Sequence, residues 1–177
     1  IITTGIDRGL VRNATIEKAT EVMTTLNKSA SEVMRQAGVR AATDVTGFGL
    51  LGHLHEMLAA NHLGAQIWLD QVPVLEEAWD LSAQGCVPEG SYNNARFLQG
   101  IVKWDPHISQ ETQMVLYDAQ TSGGLLMSVS PEEVQTLVAA LKNAGTLTAA
   151  VIGEVLEPQA EQITSGQIVV KQSKNQT

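Results

Sequence analysis

Residues 42–54 read Ala42-Thr43-Asp44-Val45-Thr46-Gly47-Phe48-Gly49-Leu50-Leu51-Gly52-His53-Leu54, and how they are read decides the fold. Just ahead, 39–43 is a short strand candidate. Just behind, Leu50, Leu51, Leu54, Met57 and Leu58 mark one face of a helix that is expected to stop near Gly64. A strand that turns through glycines straight into a helix is a building unit of layered α/β folds. At such a junction glycines let the backbone approach a ligand, the helix N-terminus offers unpaired N–H groups, and an adjacent aspartate can coordinate a cation. The plainer alternative is that Asp44 or Thr46 caps the helix and the glycines only permit close packing. On spacing alone the plainer alternative carries slightly more weight. The string Gly47-x-Gly49-x-x-Gly52 also matches a dinucleotide fingerprint, but Phe48 and the Leu50-Leu51 pair suggest a helix already under way. Only Asp70, by loose counting, stands the expected ~20 residues on, so a Rossmann reading is weak.

Upstream, Ile1-Ile2-Thr3-Thr4-Gly5 reads as the end of a β-strand with no beginning, so the sequence is expected to start inside a longer protein. From Ile16 to Ala37 the apolar positions recur at spacings of three and four, which predicts one long or two consecutive amphipathic helices ending at Gly38. Met23 and Met34 on that stripe are expected in the core. Downstream, 65–69 reads as a strand and 74–83 as a helix ending at Gly85. The segment 86–94, rich in Pro, Gly, Ser and Asn, reads as a loop, followed by helical pieces near 94–100 and 109–116. A strand is expected over 125–129. Ser130-Pro131-Glu132-Glu133 then combines an N-cap serine, proline at the first helical position and a later glutamate, and the helix it opens ends at Gly145. A β-rich tail over 147–155 and 167–171 closes the domain, expected over 1–171, and 172–177 is expected to be a frayed polar tail. Helices alternating with strands, then two strands in succession, point to an α+β or α/β layered domain.

The 177 residues amount to one domain's worth of chain, with 44% hydrophobic and 17% charged side chains, a balance that excludes disorder as the dominant state. The 11 Lys+Arg against 19 Asp+Glu leave a net charge of -8 and no basic cluster, which argues against nucleic-acid and membrane-surface binding. Aromatics, at 4%, are too few for a base-stacking platform. No apolar run approaches the ~20 residues of a membrane span and no secretory signal is visible. The single Cys86 excludes an internal disulfide and a Cys-based zinc cage. A cytoplasmic location is the simplest expectation. None of this excludes a phosphate ligand, which backbone N–H groups and a divalent metal can hold.

A second constellation is Tyr117-Asp118-Ala119-Gln120-Thr121-Ser122-Gly123-Gly124-Leu125-Leu126, a polar loop ending in a glycine pair before a strand, for which an ordinary turn is the default. A third is Val87-Pro88-Glu89-Gly90-Ser91-Tyr92-Asn93-Asn94, where a plain surface turn is again the default. His53 and His55 stand two apart on a helix and so point to different faces, unlike a ligand pair four apart. His53 is expected to pack or hydrogen-bond near the glycine turn. His55, His62 and His107 are expected in solvent and Cys86 to be inert.

Taken together, the 42–54 stretch and Asp118-Ala119-Gln120-Thr121-Ser122-Gly123-Gly124-Leu125-Leu126 resemble the two signatures of the C-terminal half of the selenophosphate synthetase (selenide, water dikinase) family, in order and in separation. The resemblance runs from Ile1 to about Val170. The Asp-Val-Thr-Gly-Phe-Gly run is specific to that family, whereas Thr-Ser-Gly-Gly is shared with the aminoimidazole ribonucleotide synthetase superfamily. The family loop Pro-x-Gly-[Ser/Thr]-x-x-Asn is met by Pro88, Gly90, Ser91 and Asn94.

The resemblance implies an α+β fold, a layered α/β/α domain of the aminoimidazole ribonucleotide synthetase C-terminal type. It implies an enzyme that converts ATP, selenide and water into selenophosphate, AMP and phosphate with Mg2+, with the nucleotide between an N-terminal domain and this one, in a homodimer. Asp44 falls on a carboxylate that helps bind magnesium near the ATP phosphates. Thr43, Thr46, Gly47 and Gly49 would line the same cleft, with Asp118, Gln120, Thr121, Ser122, Gly123 and Gly124 as its facing loop. Ala119 stands where the family usually carries proline, which is expected to loosen that loop. The family's catalytic Cys or selenocysteine, its partner Lys and its glycine-rich segment have no counterpart among these residues, so no catalytic residue is assigned and the chain alone is expected to be inactive. The alternatives are a relative resembling thiamine-monophosphate kinase or the hydrogenase maturation enzymes, which would release ADP, and a noncatalytic assembly module.

Overall fold

A computed structural model describes residues 1–158 and 163–172. Its helices are α1 (Ile2–Asp7), α2 (Asn13–Thr24), α3 (Lys28–Gln36), α4 (Gly49–Ala59), α5 (Glu77–Ala83), α6 (Glu89–Phe97), α7 (Gln110–Leu116) and α8 (Val134–Asn143). Its strands are β1 (Ala41–Asp44), β2 (Gly64–Trp68), β3 (Val102–Trp104), β4 (Leu125–Ser128), β5 (Gly153–Leu156) and β6 (Ile168–Lys171). This is the α+β class the sequence leads one to expect. The strands divide into a mixed sheet of order β3-β6-β2-β5 and a separate ribbon of β1 with β4. β6 runs parallel to both β2 and β3, while β5 is antiparallel to β2. No described helix is long and apolar enough to cross a membrane.

The core sits between the four-stranded sheet and α4. On β6 Ile168 and Val170 are completely buried, and on β2 Ala65 and Ile67 are nearly so, as expected of strands with neighbours on both edges. α4 buries Leu50, Leu51, Gly52, His53, Leu54 and Leu58, so it is apolar over more than the one stripe of a surface helix. Burying a leucine side chain contributes about 1.5–3 kcal/mol, which makes α4 the main anchor for the turn that precedes it.

Several expectations are corrected. Ile1-Ile2-Thr3-Thr4-Gly5 is not the end of a strand: residues 2–7 are helical, and a Cβ on Gly5 would stand 2.9 Å from Leu81 of α5. Packing against α5 overrides the strand propensity of the β-branched run. The 16–37 stripe is two helices, and Met23 and Met34 lie half-buried on it rather than in the core. α4 stops at Ala59, five residues before Gly64, which instead opens β2. Residues 74–76 precede α5 rather than belonging to it. The supposed loop over 86–94 contains the start of α6, with Pro88 at its N-cap, where its missing N–H costs nothing. β3, three residues with an exposed lysine at its centre, carries too little pattern to be seen in the sequence. Ser130 does open a helix, but through a 3-10 turn, and its hydroxyl bonds the Glu133 carboxylate at 3.0 Å rather than a backbone N–H. Within the β-rich tail only Gly153–Leu156 and Ile168–Lys171 are strands. Of the polar tail expected over 172–177, all but Gln172 lies outside the described residues.

Candidate functional site

β1 and β4 are antiparallel, with Asp44 opposite Leu125 and Thr43 opposite Leu126. The loop after β1 and the loop before β4 therefore meet at the same end of the ribbon, although they lie far apart in the sequence. Their backbones are bonded to each other. Val45 N–H donates to the Gly124 carbonyl at 2.9 Å, Gly123 N–H to the Val45 carbonyl at 3.0 Å, and Gln120 N–H to the Thr46 carbonyl at 3.2 Å.

The four glycines of the two loops divide into two kinds. Gly49 has φ of +69°, and a Cβ there would lie 2.8 Å from the Asp118 carbonyl; a Cβ on Gly123 would lie 2.6 Å from the Val45 carbonyl. These two glycines serve loop-to-loop packing, the plainer of the two roles open to them. Gly47 and Gly124 are exposed, and nothing would lie within 4 Å of a Cβ on either. They leave the backbone open to a ligand.

Side chains from α6 and from the α2–α3 link hold the two loops. Asn94, buried on α6, donates through Nδ2 to the Gly47 carbonyl at 3.0 Å and to the Tyr117 carbonyl at 3.1 Å. Fully buried Ser91 donates to Asp118 Oδ1 at 3.3 Å and accepts the Ala119 N–H at 3.0 Å. Asn27 donates to the Gly123 carbonyl at 3.0 Å. The 87–94 segment is thus no surface turn but the clasp of the site. The Ala119 N–H makes a bond that proline cannot make. Nothing in the sequence around Asn27 marks it for this role.

The proposed ligand groups are placed unequally. Asp44 is exposed, and no described residue hydrogen-bonds or ion-pairs with its carboxylate. Strand alternation puts Thr43 on the opposite face from Asp44, so the structure does not bring those two to one side. Asp118 is half-buried, and its Oδ1 also accepts from the Ile1 nitrogen at 2.9 Å, so this carboxylate is engaged in holding the loop. Gln120 and Ser122 are half-buried and Thr121 is exposed. Asp118 and 120–124 also line a largely apolar cavity of about 1050 Å³ reaching α2 and α8, which Thr43, Asp44, Thr46, Gly47 and Gly49 do not reach. Among the described residues no three His, Cys, Asp or Glu side chains cluster as a metal cage.

His53 is buried and bonded to Thr46 across the glycine turn at 3.1 Å, as expected. His55 is not solvated: its Nδ1 lies 2.8 Å from the Gly166 carbonyl and its ring meets Phe97 edge-on. His62 and His107 are exposed and Cys86 is buried. Next to Asp118, burial pushes the Tyr117 hydroxyl above its ordinary pKa, partly offset by the Trp104 Nε1–H that it accepts at 3.1 Å.

The ribbon, turn and clasp belong to an α+β domain, and comparison with known proteins gives it a family. The chain belongs to the AIR synthase related protein, C-terminal domain family, whose model matches residues 4–166. It is 45% identical over 171 residues to the selenide, water dikinase of Carboxydothermus hydrogenoformans, an alignment covering 97% of this chain and 48% of that protein. It is 43% identical over 163 residues to the selenide, water dikinase of Pelobacter propionicus, covering 92% of this chain and 47% of that protein. The chain thus spans about half the length of the curated relatives it matches. Among solved structures, the hydrogenase maturation protein HypE in complex with ATP shares the fold, with a TM-score of 0.55 at 22% identity over 84% of this chain and 37% of that one.

Proposed function

We propose that this chain is the C-terminal half of an enzyme that makes selenophosphate, AMP and phosphate from ATP, selenide and water. The observation that carries the reading is the exposed end of the β1–β4 ribbon. There a carboxylate with no partner among the described residues, Asp44, stands beside two glycines, Gly47 and Gly124, whose surroundings are open. The similarity to selenide, water dikinases along nearly the whole chain supports the choice of reaction. Asp44, with Gly47 and Gly124, closes one side of the ATP cleft, and an N-terminal half supplies the other side and the nucleophile. The working enzyme is a cytoplasmic homodimer.

The donor chemistry fits magnesium. Mg2+ keeps several waters and takes one or two carboxylates together with substrate phosphates, rather than an all-protein cage, and a single exposed carboxylate is such a donor. Magnesium, when bound, neutralises charge on the phosphate oxygens. The chain's own part is positioning: Asp44 fixes where the cation sits, the backbone around Gly47 and Gly124 lets phosphate oxygens come close, and the Asn94 and Ser91 clasp keeps both loops in place.

The test is anaerobic phosphorus NMR of a protein carrying both halves, supplied with magnesium, ATP and selenide. A selenium-coupled phosphorus signal with AMP and phosphate is the expected result. ADP as the sole nucleotide product, or unchanged ATP, would overturn it.

A further inference from the structure

Ile1, Ile2 and Thr3 line the apolar cavity of about 1050 Å³ that the 118–124 loop borders. The whole of β4 together with Val129 lines it too, as do Gly153, Glu154 and Val155 of β5. β4 is bonded to β1 along one edge, and among the described residues no strand lies along its other edge; the same holds for β5 beyond β2. The cavity thus touches an outermost strand of each sheet.

Its walls are those of a core with a piece missing. Leu125-Leu126-Met127, followed one residue on by Val129, is the near-continuous apolar run of a strand covered on both faces, yet each of these residues is only half-buried. Met23 of α2 is half-buried on the same wall, and Leu26 and Leu147 there are 77% and 46% exposed. Protein interiors hold few voids larger than a water molecule, a two-stranded ribbon is marginal by itself, and an apolar free edge is a surface for pairing. A small molecule could fill the volume, since ligand pockets reach about 1,000 Å³, but it would leave the row of N–H and C=O groups along β4 unmatched. A further strand answers both needs.

The chain spans about half the length of its curated relatives, and in the reading above the other half precedes Ile1. We propose that the polypeptide immediately upstream of Ile1 crosses this cavity as a β-strand on the free edge of β4. This rests on the chain being a C-terminal half and not on the reaction. An upstream segment has to arrive at Ile1, which stands in the cavity wall with its nitrogen 2.9 Å from Asp118 Oδ1. In a longer chain that nitrogen is a peptide N–H and still donates to the carboxylate. About five residues, each advancing ~3.3 Å, cover β4. The connection between the halves is then part of the core, and it hands the chain directly to the loop that carries Asp118.

Disulfide trapping in a protein carrying both halves tests this. Met127→Cys is combined with a single cysteine at each of the roughly ten residues before Ile1, the upper end of strand lengths, and the oxidised protein is read by peptide mass spectrometry; Cys86, fully buried, stays in place. Val129→Cys, on the same strand face, repeats the series should Met127→Cys fail to fold. The expected result is a cross-link within one chain at a single position, falling away at its second neighbours and absent at its immediate ones, because only directly opposed strand residues bring their Cα atoms within disulfide range. Cross-links three and four positions apart would put a helix in the cavity and overturn the strand. Cross-links between two chains, seen as a doubled mass on a non-reducing gel, would give the edge to a second copy and overturn the proposal, as would no cross-link in either series. ADP in place of AMP would sink only the synthetase reading, since the trapping reads the fold and not the reaction.

Discussion

The Gly123 N–H donates to the Val45 carbonyl at 3.0 Å, and a Cβ on Gly123 would lie 2.6 Å from that same oxygen. The contact has a mirror: Gly49 is pressed against the Asp118 carbonyl, where a Cβ would stand 2.8 Å away. Each loop supplies the glycine that the other loop's backbone needs.

Gly123→Ala and Gly49→Ala should therefore each destabilise the chain by about 1–3 kcal/mol, the cost of overpacking, with backbone strain added at Gly49. Gly47→Ala, where the space is open, should cost no more than about 0.5 kcal/mol yet impair nucleotide binding in the protein carrying both halves. Urea unfolding of the three variants decides it: equal losses at all three positions would mean that the glycines are not divided between packing and access.

Much of this was legible in the sequence, and the illegible part has a physical cause. The strand–turn–helix of 42–54 declared itself because helical periodicity begins at Leu50, directly after the glycines. The division of labour among the glycines could not be read, since it depends on which backbone, distant in the sequence, comes to lie against each. The clasp was hidden for the opposite reason. Gly90, Ser91 and Asn94 carry loop propensities, but burial of Ser91 and Asn94 against the two loops turns 89–97 into a helix. Asn27 sits between two helices with nothing around it to distinguish it, and its role exists only through the Gly123 carbonyl.

Asn94→Ala removes both bonds that tie the Gly47 and Tyr117 carbonyls to α6. The expected loss is about 1–3 kcal/mol, because a buried carbonyl is left without its donor. Asn94→Asp, of equal size, should be worse, since it turns an acceptor toward two acceptors. Thermal melts of both variants give the order, and a milder effect for the aspartate would mean that packing rather than hydrogen bonding holds the loops.

Tyr117 makes stability fall at alkaline pH. Burial raises its folded pKa above the unfolded value of about 10, so the unfolded chain loses the phenolic proton first. Its contribution is complete below about pH 10 and is lost as pH rises through the folded pKa. Tyr117→Phe should flatten that decline relative to the unsubstituted chain. Below pH 10 it should cost about 1 kcal/mol, because the Trp104 N–H loses its acceptor. Identical slopes for the two chains in denaturant titrations between about pH 9 and 11 would remove the tyrosine from the explanation.

Asp44 and Asp118 test whether the two loops do different work. Asp44 is exposed and without a partner among the described residues, so Asp44→Asn should leave stability within about 0.5 kcal/mol while abolishing magnesium-dependent turnover in the protein carrying both halves. Asp118 accepts from the Ile1 nitrogen and from Ser91, so Asp118→Ala should cost the 177-residue chain about 1.5–3 kcal/mol, the range for hydrogen bonds to a charged group. Its effect on turnover should follow from the loosened loop and so shrink as temperature is lowered, whereas the loss at Asp44 should not respond to temperature. Chemical denaturation of both variants, beside turnover measured at two temperatures, separates a ligand from a latch. A stable Asp118→Ala chain whose turnover is lost at every temperature would make Asp118 a second ligand of the magnesium–nucleotide complex.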